Sequence, residues 1–298
     1  MVILLGLGQQ VISPGEFILD LAGDVQSRPA KLVAILAKNS SCCYFLHMQK
    51  LLDDLARQYP SSLISSQLED IRRIAFHVSL VKDRISKGRV CDLGGGLGLF
   101  SVACAAVGFD STLLDDFNDP VNAAQPNDGL PVHHKYGVTV RNCSVLADDL
   151  AFPLESFDAV TSFDSMEHWH HSPKRLFRRV VTWLKPGGFL VLGVPNCVNL
   201  RKRLMVPLGR GKWSTMDDWY QQDRFRGHVR EPDVADLHYI VRDMGLVNTQ
   251  IVGRNWLGYR LRTPVVRSLM PLIDQCLRPW PSLCSDLYLI AEKPQAPS

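Results

Sequence analysis

The residues best suited to chemistry stand in CDLGGGLGLF, Cys91–Phe100, which has glycine at four of the five positions from 94 to 98. Glycine costs roughly 0.5–1 kcal/mol relative to alanine within regular elements, so this run indicates that the backbone must approach a ligand closely. The spacing is D-x-G-x-G-x-G from Asp92 to Gly98. It departs from the dinucleotide fingerprint G-x-G-x-x-G, because Leu99 stands where the third glycine belongs. The segment predicts a cofactor site and disfavours a nicotinamide dinucleotide.

Alternating strand and helix patterns surround this segment and predict an α/β fold with a doubly wound sheet. The glycines follow the first predicted strand and open the helix LGLFSVACAAVG. Further helices are predicted over 172–184, ended by KPGG, and over 232–244. The predicted strands are RVCDL, STLLD, Tyr136–Val145, FDAVTSF, FLVLGVP, LVNTQIVG and SDLYLIAEK. Because ligands of such sheets bind at the carboxyl ends of the strands, the glycine turn lies where a cofactor would bind.

The chain ahead of the sheet divides into two parts. Residues 1–46 show no periodic pattern and stay unassigned. Residues 47–85 repeat apolar side chains at helical spacing and predict an N-terminal cap of two helices, broken near Pro60. The sheet domain is expected over residues 86–298, with one insertion at about 196–230 and a helical insertion at about 259–284.

Composition excludes several classes of protein. The 298 residues carry a net charge of only +3, which offers no electrostatic argument for nucleic acid. No apolar run approaches the ~18 residues that a membrane span needs, and the start MVILLGLG lacks the basic region of a signal peptide. The eight cysteines form no C-x-x-C pair, which favours a reducing compartment without a zinc site. A cytoplasmic protein is expected.

Four segments in register resemble class I S-adenosylmethionine-dependent methyltransferases. DLGGGLG is similar to the first motif of that family, and Asp115 stands at the acidic end of the second strand. SFDAVTSFDSMEHW resembles the fourth-strand segment, and LKPGGFLVLGVPN resembles the fifth. The resemblance covers about 86–252 and the last strand. It implies a Rossmann-like, seven-stranded, mostly parallel sheet whose last strand is antiparallel and lies between the fifth and sixth, and it implies S-adenosyl-L-methionine as cofactor.

The resemblance also assigns cofactor contacts at three strand ends. A carboxylate can accept hydrogen bonds from both ribose hydroxyls, and Asp115 is expected in this role with Asp116 beside it. The other expected contacts are the Asp92 carboxyl, through water or the cofactor's amino group, the backbone of Gly94 and Gly96, helix packing at Gly98, and the backbone of Ser162 and Phe163 at the methionyl end.

One segment departs from the family pattern. The exit of the third strand, often GDAEDLPF in the family, is VLADDLAF here, so Leu146 replaces the acid that usually reaches the adenine. Asp148, or the backbone of Ala147, is expected to take its place. This departure is also the one feature that favours a non-catalytic binding protein of the same fold, whereas the intact glycines favour an enzyme.

Transfer to a hydroxyl needs a base, and EHWHH, residues 167–171, supplies titratable groups near the expected methyl. His168 is the first candidate and His171 the second. His228, near the end of the first insertion, could orient the acceptor or act as the base. The alternative is that Glu167 and His168 only hold the loop. No metal is expected, because the segment has no pair of helical histidines spaced i, i+4.

The first insertion is expected to recognise the acceptor. Basic and aromatic side chains interleave in it, and such residues stack on rings and grip phosphate or carboxylate; they include Arg201, Lys202, Arg203, Lys212, Trp213, Trp219, Tyr220, Arg224, Phe225, Arg226 and Arg230. The segment GHVREPDVADL resembles the segment that follows the acceptor lid in bacterial methyltransferases of glycan pathways. The expected acceptor is a hydroxyl of a sugar or glycan precursor. A lipid quinone or another small molecule is the alternative.

The second insertion contains VVRSLMPLIDQCLRPW, which has an apolar face and basic ends. Such a segment can lie on a membrane surface or at a dimer seam, or it can pack over the edge of the sheet. Peripheral membrane contact is therefore one expectation, and the oligomeric state stays open.

Overall fold

Seven strands form one sheet in a computed structural model of the protein. The model describes residues 45–117, 129–210, 216–221, 223, 225, 227–260 and 264–295. In chain order the strands are β1 Arg89–Leu93, β2 Asp110–Asp115, β3 Thr139–Asn142, β4 Phe157–Phe163, β5 Leu184–Pro195, β6 Val247–Arg254 and β7 Asp286–Glu292. Their order across the sheet is β3-β2-β1-β4-β5-β7-β6.

The pairing confirms the predicted fold class. Strands β1 to β5 pair in parallel, whereas β7 runs antiparallel to both β5 and β6 and lies between them. Most residues of β4 and β5 are buried, including the continuous run Phe189–Val194, as expected of strands covered on both faces. The sheet is therefore the Rossmann-like type that the resemblance implied.

The described part of the chain contains ten α-helices. They are α1 45–56, α2 Ser61–Glu69, α3 Ile71–Lys82, α4 Leu99–Ala106, α5 Pro131–Tyr136, α6 Lys174–Trp183, α7 Leu200–Met205, α8 Met216–Tyr220, α9 Val234–Met244 and α10 Pro264–Leu277. Backbone contacts divide the chain into the units Met1–Leu46 and His47–Ser298, and the sheet belongs to the second.

Three predictions of local structure were wrong. The cap has three helices in place of two, because a second break occurs at Asp70, between α2 and α3. The third strand is only four residues long, since Tyr136 ends helix α5 and Gly137 follows in a left-handed conformation. KPGG belongs to β5 and does not form a separate turn, because the backbone is already extended at Leu184, where the strand pairs with Phe157.

The packing of α3 on the sheet places the cap beside the carboxyl end of β4. The His77 ring stacks on Phe163, with ring centroids 3.9 Å apart and an interplanar angle of 6°. Phe76 meets the buried Tyr288 edge-on at 4.9 Å. The Tyr288 hydroxyl lies 2.9 Å from His77 Nε2 and accepts a 2.7 Å hydrogen bond from Trp256 Nε1. Helix α3 is thus tied to β4 and β7 by aromatic contacts and a shared hydroxyl.

The second insertion contains α10, which the buried Asp274 anchors to the end of β6. The Asp274 carboxylate accepts hydrogen bonds from Arg254 Nε at 3.1 Å and from the Asn255 backbone at 2.9 Å. The opposite side of the helix exposes Leu269, Leu272 and Ile273. None of the helices in the described part has both the length and the apolarity to cross a membrane.

Replacing Tyr288 by phenylalanine is predicted to lower the free energy of unfolding by about 1–3 kcal/mol, because the change removes a buried partner of Trp256 and His77. Urea unfolding of the wild type and Tyr288→Phe measures this loss. Tyr239→Phe is the matched control, since that ring is largely exposed. Equal stability of the two variants would contradict the role assigned to the Tyr288 hydroxyl.

Candidate functional site

Asp92 joins three elements at the start of the glycine turn. Its buried carboxylate, on β1, accepts a 2.9 Å hydrogen bond from Thr161 Oγ1 of β4. It accepts a second, of 3.1 Å, from Ser101 Oγ of α4. Burial raises the pKa of Asp92 to about 7, although both hydroxyl groups oppose the shift. The side chain thus fixes β1, β4 and α4 relative to one another where the turn begins.

The glycine turn has a backbone that other residues would strain. Gly94, Gly96 and Gly98 all have positive φ, between 55° and 73°. A Cβ on Gly94 would collide with the Ser165 side chain, which follows β4. A Cβ on Gly98 would lie 2.5 Å from the Leu113 side chain on β2. Close packing therefore requires glycine at both positions, and it leaves the backbone of the turn bare.

Asp115 lies at the end of β2 and faces the glycine turn. Its Oδ2 accepts a 2.8 Å hydrogen bond from the Gly96 backbone, and its Oδ1 accepts one of 2.7 Å from the Phe117 backbone. Each carboxylate oxygen has a second lone pair, and the side chain is only half-buried. Asp116 follows it and is also half-buried. The role of Asp115 at the ribose of a cofactor stays a prediction.

A cavity of about 190 Å³ lies between the cap and the glycine turn. Its lining includes Asp92, Gly98, His77, Phe163 and Asp164. Ser162 precedes Phe163, is buried, and donates a 2.9 Å hydrogen bond to the Leu93 carbonyl. The ends of β1 and β4, where the sequence predicted the methionyl end of a cofactor, therefore border one cavity.

Arg73 is a residue of this region that the sequence analysis missed. Its guanidinium, on α3, pairs with Asp164 at 2.7 Å and with Asp70 at 2.9 Å, and both acids line the cavity. Helical periodicity marked α3 as amphipathic but carried no signal for Arg73, because its partner Asp164 is distant in the sequence. The arginine balances the negative charge beside the cavity.

The residues expected at the adenine lie in a different setting. Asp148 is exposed and pairs with the equally exposed Arg175 at 3.1 Å. The Ala147 carbonyl accepts a 2.8 Å hydrogen bond from Arg179. Leu146 packs against the hydrophobic core. The role of Asp148 or Ala147 at the adenine stays a prediction.

Glu167, His168 and His228 form a cluster just after β4, here named the Glu-His-His cluster. One ligand atom from each residue lies within 4.8 Å of the others. The His168 and His228 rings meet at 4.9 Å and 81°. His228 reaches this position because the Val229 and Arg230 amides donate to the Glu167 carbonyl, at 2.7 and 3.3 Å. His171 is exposed and lies outside the cluster.

The two glutamates at the Glu-His-His cluster have pKa values that are shifted in opposite directions. Burial raises the pKa of Glu167 well above its ordinary value, and the nearby Asp164 charge adds to the shift. Burial also acts to raise the pKa of Glu231, but hydrogen bonds from His228 and Lys202 outweigh it and lower that pKa. Glu231 is therefore ionised, and His228 Nδ1 donates the 2.7 Å hydrogen bond to its Oε1. In the neutral tautomer that carries its proton on Nδ1, the lone pair is on the other ring nitrogen, Nε2.

The first insertion uses several of its basic residues internally. Lys202 is buried and paired with Glu231, Arg203 donates 2.6 Å to the Val198 carbonyl, and Arg230 pairs with Asp236. Trp219 and Tyr220 are exposed. Lys212, Trp213, Arg224 and Arg226, together with residues 1–44, lie outside the described residues.

Comparison with known proteins gives a family match across this region. A family model described as "Methyltransferase domain" matches residues 65–251. "Ubiquinone biosynthesis O-methyltransferase" of Pseudomonas syringae pv. tomato is 28% identical in an alignment of 171 residues. The match covers 49% of this chain and 71% of that protein. The protein of the same name from Xanthomonas oryzae pv. oryzae is 34% identical over 112 residues, which are 38% of this chain and 45% of that protein.

Solved structures with a similar fold include two methyltransferases. A 1,6-didemethyltoxoflavin-N1-methyltransferase from Burkholderia thailandensis, with 1,6-didemethyltoxoflavin and S-adenosylhomocysteine bound, has a TM-score of 0.46 and 17% identity, and the match covers 90% of this chain and 91% of that chain. An S-adenosylmethionine-dependent methyltransferase from Methanosarcina mazei has a TM-score of 0.49 and 17% identity, with coverage of 73% and 98%.

Asp92→Asn is predicted to change how stability depends on pH. Aspartate in an unfolded chain titrates near 3.9, whereas the pKa of folded Asp92 is about 7. The folded state thus holds the proton more tightly, and the contribution of Asp92 to the free energy of unfolding declines as pH rises from about 4 to about 7. Over that range the asparagine variant should gain stability relative to the wild type.

Urea unfolding at several pH values between 4 and 8 measures this difference. The variant Asp148→Asn, whose carboxyl is exposed, controls for the substitution itself. Parallel stability curves of the wild type and Asp92→Asn would contradict a raised pKa at Asp92.

Proposed function

The chain belongs to the S-adenosylmethionine-dependent methyltransferases, and we propose that it methylates a hydroxyl oxygen of a small-molecule acceptor. The observation that carries this proposal is that the end of β4 borders the cavity and leads directly into the Glu-His-His cluster. Phe163 and Asp164 line the cavity beside the glycine turn, and Glu167 and His168 follow within the same short segment. An acceptor held at the Glu-His-His cluster would thus lie next to the methyl end of the cofactor.

The cofactor assignments rest on the fit of the described residues. S-adenosylmethionine supplies an electrophilic methyl group on a positively charged sulfur. Asp115, at the end of β2 beside the glycine turn, would accept hydrogen bonds from the ribose hydroxyls, with Asp116 beside it. The bare backbone at Gly94 and Gly96, the Asp92 carboxyl, and the strand end at Ser162 and Phe163 would hold the methionyl part. Gly98 would permit the close packing of α4. The main contribution of these contacts to rate is alignment of methyl and acceptor.

A phenolic hydroxyl, of the kind found in lipid-quinone precursors, is the acceptor class that we place first. Relatives at 28–34% identity carry the name ubiquinone biosynthesis O-methyltransferase, which favours this alternative over a sugar. The structure adds a second reason, since Lys202, Arg203 and Arg230 are engaged in internal contacts. The exposed apolar face of α10 would suit a hydrophobic acceptor or contact with a membrane surface. We place the protein in the cytoplasm.

A sugar or glycan hydroxyl is the second candidate. Trp219 and Tyr220 are neighbouring exposed rings, with centroids 6.3 Å apart. Aromatic rings of this kind stack on sugars.

Activation of the acceptor falls to the Glu-His-His cluster. Among the histidines expected to act as the base, His228 has the clearest support, because Glu231 orients its ring through Nδ1, and Nε2 is then the nitrogen that would accept a proton. His168 is its neighbour in the cluster, and His171 lies outside it. A phenolic hydroxyl has a pKa near 10, so its reaction at neutral pH needs such a group.

Formation of S-adenosylhomocysteine in the presence of different acceptors tests this function. A short-chain polyprenyl catechol should be methylated, and monosaccharides should not. Because general base catalysis contributes about 10²–10⁴-fold, His228→Gln should lower kcat by at least about 10²-fold, whereas the exposed His171→Gln should retain activity. Transfer only to sugars would favour the second candidate, and transfer to amines alone would contradict O-methylation.

A further inference from the structure

We propose that the Glu-His-His cluster, Glu167, His168 and His228, is a binding site for a first-row divalent cation. The binding claim stands on the cluster itself, whereas its catalytic consequence rests on the proposed O-methyl transfer. The sequence pattern disfavoured a metal because no helix carries two histidines spaced i, i+4. The structure instead takes the second histidine, His228, from the end of the first insertion.

The first support is the donor set and its spacing. A carboxylate oxygen and two imidazole nitrogens lie within 4.8 Å of one another. Small rotations of the three side chains would bring these atoms close enough to bind one ion. Two histidines and one carboxylate are a recurrent protein site for zinc and iron, with positions left open for water or substrate. Glu167 is buried, whereas His228 is half-buried and His168 is exposed, so the cluster opens to one side.

The second support is an unsatisfied oxygen. Glu167 is only 1% exposed, and its Oε2 finds no hydrogen-bond partner among the described residues. A buried polar atom left unpaired costs roughly 1–3 kcal/mol, and more if it is charged. Asp164 and Glu231 add negative charge nearby. A cation at the cluster would give Oε2 a partner and would offset the repulsion among these carboxylates.

The third support is the arrangement around His228. Histidines that bind metals usually donate their other ring N–H to a carboxylate, which fixes the tautomer and aims the second nitrogen. His228 Nδ1 donates to Glu231 in this way, and Lys202 balances the charge of Glu231 from the opposite side. The lone pair of His228 Nε2 is therefore the one available to a metal.

The donor set favours Zn²⁺, Mn²⁺ and similar ions over Ca²⁺. Imidazole suits first-row transition ions, whereas calcium prefers an all-oxygen shell of six to eight ligands. Three protein ligands leave at least one position for the acceptor.

A bound cation would change how the acceptor is activated. The hydroxyl oxygen would coordinate the ion, which lowers its pKa, and the proton would pass to solvent. A lone pair of the resulting oxyanion then forms the new O–C bond while the methyl's C–S bond breaks. The sulfur keeps that electron pair and becomes a neutral thioether. His168 and His228 would serve as ligands in this state and would not act as bases.

Cation binding can be measured without cofactor or acceptor. Protein stripped with a chelator is titrated with Zn²⁺ and with Mn²⁺ by calorimetry, and Co²⁺ is used to report ligand geometry by visible absorption. The wild type should bind one ion per chain with a Co²⁺ spectrum typical of low coordination number. Glu167→Gln and His228→Gln should abolish that binding, and Glu231→Gln should weaken it by about 10–100-fold.

His170→Gln is the matched control, because His170 belongs to the same EHWHH segment but lies outside the cluster. It should bind as the wild type does, and urea unfolding confirms that each variant is folded. Absence of saturable binding to the wild type would overturn the proposal, as would equal loss of binding in His170→Gln.

The catalytic consequence has a separate readout. With an accepted hydroxyl substrate, chelator-treated protein should lose most of its methyl transfer and regain it with Zn²⁺ or Mn²⁺. Full activity after chelation would overturn the catalytic role even if the ion binds. Cation binding without transfer to any hydroxyl would instead contradict the proposed function and leave the site standing.

Discussion

The site depends on the parallel pairing of β1 with a neighbour on each side. Leu93 pairs with Leu114 of β2, and Asp92 pairs with Thr161 of β4. All three strands therefore end at one edge of the sheet. Asp115 and Phe163 are the last residues of β2 and β4, and the glycine turn follows β1, so the register of the strands brings all three to the same edge of the sheet. The buried hydrogen bonds of Asp92 hold that register and attach α4 to it.

A second set of contacts joins this edge to the acceptor side. The amides of Val229 and Arg230 donate to the Glu167 carbonyl, so the end of the first insertion is attached to the segment that follows β4. The buried Lys202–Glu231 pair links α7 to His228. Buried pairs of this kind contribute more to a unique arrangement than to net stability. Here they hold His228 next to Glu231 and near Glu167.

Features that depend on a local sequence pattern could be predicted from the sequence. The glycine spacing, the buried strands and the antiparallel last strand were all predicted, because each is expressed within a few neighbouring residues or in a family motif. Tyr136 and KPGG were assigned to the wrong elements, since turns and strand ends depend on pairing with distant chain. The Arg73–Asp164 ion pair and the approach of His228 to Glu167 were not predictable for the same reason, because helical periodicity does not encode contacts between residues that are distant in the sequence.

Calorimetric titration with S-adenosylhomocysteine tests most directly whether the ends of β1, β2 and β4 hold the cofactor. The wild type should bind one molecule per chain, and both Asp115→Ala and Gly94→Ala should lose that binding while remaining folded. Gly245→Ala is the control for Gly94→Ala, because its φ is also positive but a Cβ there meets no atom within 4 Å. Unchanged binding by both site variants, or equal loss in Gly245→Ala, would contradict the location of the cofactor.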